Sequence, residues 1–577
     1  MVMPRLPSID TRPSLLGFAA LGLALQPFIH VPAQAQDEAT PEPATVLPTE
    51  ADYYELRAIA PQAGLVGGLG DLSLEVGGLC FLGDDSLLAA TRRGEVWLVK
   101  NYSTDPVFHL WADGLHEPLG LLPLNGWIYF AQRGELSRMR DSDGDLKADE
   151  FEVVNEAWSI SGNYHEYAFG PVLDTDGNFW VTLNRPFGDG SFEEAEFRGW
   201  AAKISPDGSI CEMAASGLRS PAGIGRSPWG ELFYTDNQGE WCPANKLSLL
   251  EEGVFYGHPW GIDSSDLPMS QVAYPMEAIS LDQGGDDKAK PDQRNFEELY
   301  RKGELIPKVA ARIPSMKLPA IWFPYDKLGR SASGFDWDES GGTFGPFAGQ
   351  LFVGDQFEAS VNRVALEQVD GIWQGAAFPF RRGLASGVIR ARFDKGEPAL
   401  GIGGRTTAEA GAKPASPGLV VGMSDRGWAS LGSQRDGLQR IVWTGELPFE
   451  IHSINAIPSG FRLNLTQPCD LASVTPEAFT LKSYTYSFHE AYGSPELDNA
   501  TLEIASATSS SDGLTVTLVV GSGALVDEDG EDLGTLPAPA LRQGYVHELE
   551  APGLRALDSG HPLLHPDAYY TLNRIPK

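Results

Sequence analysis

One phrase returns between residues 75 and 445: an apolar stretch that carries glycine, an Asp-Gly or Asn-Gly type turn, then an aromatic-rich apolar run. Its clearest copy is Gly217-Leu-Arg-Ser-Pro-Ala-Gly-Ile-Gly, followed by Pro228-Trp-Gly and Leu232-Phe-Tyr-Thr. Two apolar runs around a Gly-bearing turn read as a β-hairpin. Earlier copies begin at Gly77, Pro118 and Ala168, and later ones at Ser333 and Gly383. A spacing of about 40–55 residues is that of four-stranded blades, so the expectation is a six-bladed β-propeller. A β-sandwich or barrel of short strands is the competing arrangement, and the recurring phrase disfavours it. Residues 262–330, rich in charge and proline, break the spacing and are expected to form an excursion over one face.

After Thr444-Gly-Glu-Leu-Pro-Phe the pattern becomes a simple alternation, as in Gly460-Phe-Arg-Leu-Asn-Leu-Thr and Gly513-Leu-Thr-Val-Thr-Leu. That predicts a small Ig-like β-sandwich over 446–577, with Ala568-Tyr-Tyr-Thr-Leu as its last strand. A chain of 577 residues is long for one core, and 65 glycines with 42 prolines suit an all-β, turn-rich protein.

The N-terminus reads as an export signal. Arg5 and Arg12 precede the apolar run from Leu15 to Leu25, and Ala33-Gln-Ala35 supplies small residues for cleavage. The expected organisation is a signal segment over 1–35, a disordered lead-in over 36–50, the propeller over 51–445 and the sandwich beyond. Location is then periplasmic or secreted. No Cys follows the apolar run, which argues against a lipid anchor, and no later stretch has the length of a membrane span. The net charge of −35 excludes nucleic acid as a partner and tolerates cations such as Ca2+. Export permits a Cys211–Cys242 disulfide, which sequence leaves open. There is no Cys-x-x-Cys-His for haem attachment.

Four constellations bear chemistry. Asp141, Asp143, Asp145, Asp149 and Glu152 occupy positions 1, 3, 5, 9 and 12 of an acidic loop, the pattern of converging oxygens that Ca2+ requires. Leu146 stands where such a loop ordinarily has glycine. His165 precedes a blade's inner strand, where it is placed either to take a substrate proton or to serve as a structural histidine. Arg219 with Asp236, Asn237, Gln238 and Trp241 offers a guanidinium fork, amides and a stacking surface. Arg381 and Arg382, at a blade start, suit an anionic ligand or an ordinary surface pair.

The run Gly217-Leu-Arg-Ser-Pro-Ala-Gly-Ile-Gly, with Asn245-Lys-Leu-Ser-Leu-Leu-Glu-Glu-Gly-Val-Phe-Tyr-Gly-His-Pro downstream, resembles the glucose/sorbosone dehydrogenases, soluble quinoprotein sugar dehydrogenases. The resemblance spans roughly residues 55–445 and points to a divergent exported branch. It implies pyrroloquinoline quinone (PQQ) and Ca2+ as cofactors, a sugar or polyol substrate and, without haem, a separate electron acceptor. It implies His165 as general base and Arg219 at the quinone. It also places the 236–246 loop at the cofactor calcium, and Arg381 and Arg382 near the cofactor carboxylates. Two departures stand out. Asp355 occupies a place where the family often has lysine, and Glu166 and Tyr167 replace small residues. A non-enzymatic propeller that binds carbohydrate or protein, with the C-terminal sandwich as a docking module, is the alternative; a calcium-dependent lactonase or hydrolase on the same architecture is a third.

Overall fold

The apolar runs pair as antiparallel hairpins, and the hairpins pair into four-stranded sheets. In this computed structural model the described residues are 47–60, 72–187, 195–275, 303–395, 418–527 and 529–577. The expected signal segment lies outside them, as do residues 36–46 of the lead-in and the centre of the excursion, 276–302.

The first sheet contains Val76–Gly83, Ser86–Thr91, Val96–Lys100 and Val107–Ala112. The second contains Leu122–Leu124, Trp127–Ala131, Leu136–Arg140 and Glu150–Asn155. The third runs through Ala168–Leu173, Phe179–Leu183, Trp200–Ile204 and Cys211–Ser216. The fourth holds the expected hairpin, Pro221–Arg226 with Leu232–Asp236, then Asn245–Leu249 and, from inside the expected excursion, Ile321–Phe323. The later part of the 262–330 segment therefore supplies the fourth strand of a sheet and is not part of an excursion. The fifth separate sheet is closed by the two ends of the propeller region: Tyr54–Ala58 pairs beside Asp436–Trp443, outside Gly418–Ser424 and Val388–Phe393.

Four further strands, Ala332–Trp337, Leu351–Asp355, Ser360–Val369 and Ile372–Arg381, also pair in order, but they are not a separate sheet. The last of them pairs with Asp567–Leu572 and continues into the C-terminal strands. Among the described residues the arrangement is a β-propeller with five separate sheets, not the six expected. The first strands of all these groups touch one another in chain order, and Val388–Phe393 returns to Val76–Gly83. Close approach round this ring explains the recurring glycine. A Cβ on Gly120 would lie 2.3 Å from the Gly170 carbonyl oxygen, and one on Gly223 would lie 2.4 Å from that of Ser333.

The C-terminal strands also depart from expectation. They form one hydrogen-bonded run, not two stacked sheets: from Ile372–Arg381 through Asp567–Leu572, Tyr545–Glu550, Thr480–Thr485, Leu497–Ser509, Thr515–Val526 and Gly460–Leu465 to Ile451–Ile457. The run curls until Ile451–Ile457 meets Ile372–Arg381. Its inner face encloses Phe378, Ile451, Leu463, Leu481, Leu518 and Tyr570. Alternation predicts strands but not the number of layers, because both solutions bury one face. Cys211 and Cys242 are both free thiols, so they are not bridged to each other.

The short helix Glu50–Tyr53 is held to the C-terminal strands by a largely buried imidazole. His565 lies 2.6 Å from Glu450 Oε1 and 3.0 Å from Glu50 Oε1. Burial disfavours its charged form, but the two carboxylates outweigh burial and push its pKa up to about 9. A raised native pKa stabilises the fold fully below the unfolded value of roughly 6.5, and that contribution is lost as pH rises through about 9. The thermal midpoint should therefore fall between those limits, and His565→Gln should flatten the decline. An unchanged slope in that variant would assign the pH dependence elsewhere.

Candidate functional site

Where the inner strands begin, a cavity of ≈ 240 Å³ opens at one end of the central channel. His165, Arg219, Asn237 and Gln238 all line it, so the structure brings together four residues picked from sequence. His165 is 4% exposed and stacks on Phe187 with ring centroids 3.3 Å apart. Its Nδ1 is 2.8 Å from the Arg185 carbonyl oxygen. A carbonyl only accepts, so Nδ1 carries the proton and Nε2 presents its lone pair. Ser220 Oγ lies 3.3 Å from Nε2 and accepts from Asn184 Nδ2 at 3.1 Å, leaving its own hydroxyl to donate to the imidazole. Burial, reinforced by the charges of Arg219, Arg185 and Arg426, holds the His165 pKa well below the usual histidine value. The imidazole is a neutral base at physiological pH.

Arg219 is placed by its neighbours on three sides. Asp236 accepts from the backbone N–H groups of Arg219 (3.0 Å) and Ser220 (2.7 Å). Glu240 grips the guanidinium at Nε and Nη2, both 3.0 Å away, and also takes Arg185 Nη2 at 2.7 Å. Burial would raise the Glu240 pKa, but the two guanidiniums more than offset it and the carboxyl titrates below its ordinary value. The rings of Phe187 and Tyr492 flank the guanidinium, 4.6 and 5.3 Å away. Gly239 supports it from behind: a Cβ there would sit 1.8 Å from Arg219 Cζ. Gly239→Ala is therefore expected to displace the guanidinium while the backbone stays in place. A crystal structure of that variant with Arg219 unmoved would refute this.

The other expected ligand residues lie elsewhere. Trp241 is buried against Phe488, with ring centroids 4.9 Å apart, and does not line the cavity. The loop after Ser487–Phe488 lies across it, since Trp241 N donates to the His489 carbonyl. Arg381 and Arg382 are also away from the cavity. Arg381 donates to the Tyr54 carbonyl and pairs with Glu50, and Arg382 is exposed. Both belong to the closure of the N-terminal segment. Asp355 does not confront a ligand either. It is buried, and its oxygens accept from the backbone N–H groups of Arg330, Ser331 and Glu358, each at 2.8 Å. Burial still leaves its pKa above the ordinary value.

Asp355 thus does for Arg330-Ser331 what Asp236 does for Arg219-Ser220. The signal is in the sequence: Gly217-Leu-Arg-Ser-Pro-Ala-Gly and Leu328-Gly-Arg-Ser-Ala-Ser-Gly are two copies of one strand entry. Arg330 lines the cavity beside Arg219, as does Arg426, whose guanidinium lies 4.6 Å over the Tyr167 ring. Sequence reasoning passed over both, and also Ser220, Asn184, Phe187, Trp428 and Tyr492. Glu166 turns away from the cavity and accepts from Ser161 and Gly162; Tyr167 forms part of the wall. Among the described residues no carboxylate lines the cavity. The Tyr167 hydroxyl, Asn184 Oδ1, Asn237 Oδ1 and one terminal nitrogen of Arg426 are buried polar atoms of its lining residues with no hydrogen-bond partner among the described residues.

The acidic loop is a separate feature. Oxygens of Asp141, Asp143 and Asp145 lie within 4.8 Å of one another. Leu146 adopts φ 72°, so the sharp turn forms without glycine. Asp149 turns instead to Ser142, and Glu152 to Arg138. The 236–246 loop offers no uncommitted carboxylate to a cation, because Asp236 and Glu240 are spent as described.

A family model described as a domain of unknown function (DUF7133) matches residues 95–255. No curated protein matches the chain. Among solved structures, an oxidoreductase described as a glucose dehydrogenase from Thermus thermophilus is similar at 17% identity and TM-score 0.41, covering 67% of this chain and 99% of that one. The PQQ-bound form of aldose sugar dehydrogenase from Streptomyces coelicolor is similar at 13% identity and TM-score 0.41, over 69% and 100% of the two chains. The pyranose dehydrogenase PQQ domain from Coprinopsis cinerea gives 11% identity and TM-score 0.39, over 70% and 98%.

Proposed function

We propose that the chain is an exported, quinoprotein-type dehydrogenase that oxidises a hydroxyl of a sugar or polyol and passes electrons to a separate acceptor. In this reading the strands Ala332–Trp337 to Ile372–Arg381 serve as the sixth blade, shared with the C-terminal sheet. The observation that carries the reading is the neutral His165 imidazole, its Nε2 lone pair at a cavity that arginines line and no described carboxylate does.

That donor set suits an anionic, planar group such as PQQ. Arg219, Arg330 and Arg426 would hold its carboxylates, and the unpartnered Asn237 Oδ1 and Arg426 nitrogen mark positions that a ligand would satisfy. When bound, PQQ supplies a two-electron acceptor. The chain's own part is to bind, orient and move a proton. The substrate hydroxyl replaces Ser220 as donor to His165 Nε2, which takes the hydroxyl proton, and Arg219 stabilises charge that builds on the substrate oxygen. Nδ1–H on the Arg185 carbonyl fixes the tautomer. Ca2+ would be held by Asp141, Asp143 and Asp145, with the six to eight oxygens it requires completed by backbone and water. Arg381, Arg382 and Trp241 have no part in this site.

Calorimetric titration of the mature protein with PQQ, with Ca2+ present and then chelated, tests the reading. Saturable binding lost in Arg426→Ser is the expected result. The absence of binding to folded, Ca2+-loaded protein would overturn it. The second reading, a propeller that binds carbohydrate without oxidising it, is favoured by one observation. Tyr164, Trp428 and Tyr492 are half or more exposed around the mouth, where aromatic faces can stack on sugar rings. Glycan binding without PQQ binding would favour it.

A further inference from the structure

The walls of the His165 cavity continue into a second one. Ala168–Leu173, Pro221–Arg226, Ala332–Trp337 and Val388–Phe393 give early residues to the first cavity and later residues to another of ≈ 210 Å³. The second cavity therefore lies at the opposite end of the channel. Arg226, Arg390, Arg392 and Lys395 line it, with Asp336 as the sole carboxylate among the described residues. Asp336 is committed: its two oxygens accept from Trp337 and Phe393 N–H groups, both at 3.0 Å, Lys395 lies 3.1 Å away and Arg392 sits at the outer limit of an ion pair, 4.0 Å away. Lys395 also pairs with Glu339.

Arg390 is the unusual member. It is 8% exposed and reaches across the channel, donating to the carbonyls of Ala222 (2.6 Å), Ile389 (2.8 Å) and Leu119 (3.0 Å). Those partners are dipoles, not counter-charges. Burial lowers its pKa to about 9, and the charges that add to this, Arg426 and Arg392, are both of its own sign; it stays charged at neutral pH. A desolvated guanidinium among like charges is costly unless an anion compensates it. In a chain of net charge −35, carboxylates are plentiful, and none among the described residues pairs with Arg390.

We infer that this second cavity binds a small multivalent oxyanion, a phosphate or a dicarboxylate, paired with Arg392 and Lys395 and neutralising Arg390. Guanidinium forks and an ammonium are the groups that recognise such oxygens. The site is independent of the proposed dehydrogenase chemistry and of its cofactor.

The test uses the full mature chain in a buffer free of multivalent anions, titrated calorimetrically with inorganic phosphate and, separately, with succinate. The expected result is saturable binding of at least one, weakened tenfold or more in Arg392→Ser/Lys395→Ser and unchanged in Arg330→Ser, which alters the other cavity. Phosphate alone or succinate alone would each support the site and identify the anion. Binding of neither, binding unaffected by the double variant, or binding lost only in Arg330→Ser would overturn it. Arg392 and Lys395 are partly exposed, so the double variant should fold; Lys395→Ala alone repeats the test if it does not.

Discussion

His165→Ala is expected to lower turnover by about 10²–10⁴-fold, the usual contribution of a positioned general base, while PQQ affinity stays near that of the parent. The separation follows from geometry. The imidazole carries no charge, so a cofactor that Arg219, Arg330 and Arg426 would hold loses no ionic contact with it. The residual rate reports what binding and the arginines supply alone. The pH profile gives a second readout. Burial and three guanidiniums hold the His165 pKa well below its ordinary value, so the acid limb of turnover should fall well under the ordinary histidine range of roughly 6.5. Turnover unchanged in the variant would remove His165 from the mechanism. An acid limb at the ordinary value would show the imidazole to be far better solvated than the structure has it.

The largest effect on stability should come from Arg363→Ala. This side chain is 1% exposed and lies between the rings of Phe347 and Phe378, 4.0 and 4.2 Å away. It donates to Gln350 Oε1 at 2.6 Å and to the His452 and Ile451 carbonyls at 2.7 Å. Burial lowers its pKa to about 10, against the raising effect of Glu450 and Tyr54, so it remains a cation. It therefore ties the strand Ser360–Val369 to Ile451–Ile457, the last strand of the curled run. Truncation leaves three buried acceptors short of a donor and a void between two rings, a loss of about 3–5 kcal/mol. Urea denaturation should show it as a lower midpoint. Arg363→Met divides the loss, since methionine restores much of the packing and none of the hydrogen bonds. A shift in the alanine variant below about 1 kcal/mol would mean the contact is solvated as a surface pair is.

The repeated phrase around Gly77, Pro118, Ala168, Gly217, Ser333 and Gly383 was legible because it is local. An apolar run, a turn and an aromatic run specify a hairpin wherever they stand, and hairpins at blade spacing pack face to face. The ring glycines were legible for the same reason, although what they avoid is a neighbouring strand's backbone. His165 and Arg219 were found because each sits one step before or within a strand entry. Arg330 was missed although its setting repeats that of Arg219. Asp355 stood out in sequence only as a departure from the resemblance, because a carboxylate's partners are invisible in sequence. Only folding shows that it is spent on the N–H groups of Arg330, Ser331 and Glu358.

By itself, then, the sequence determined the strands, their turns and the spacing of the sheets, since these depend on residues within a few positions of one another. The tertiary structure alone decided which side chains meet. It took Arg381, Arg382 and Trp241 out of the site, and it brought in Arg426 and Tyr492, which stand more than two hundred residues from Arg219. It fused the expected sandwich to the propeller through Ile372–Arg381 and Asp567–Leu572. The reason is physical. A side chain's direction at a strand entry depends on bulges and on loops from other sheets, and a shift of one residue sends it to the opposite face.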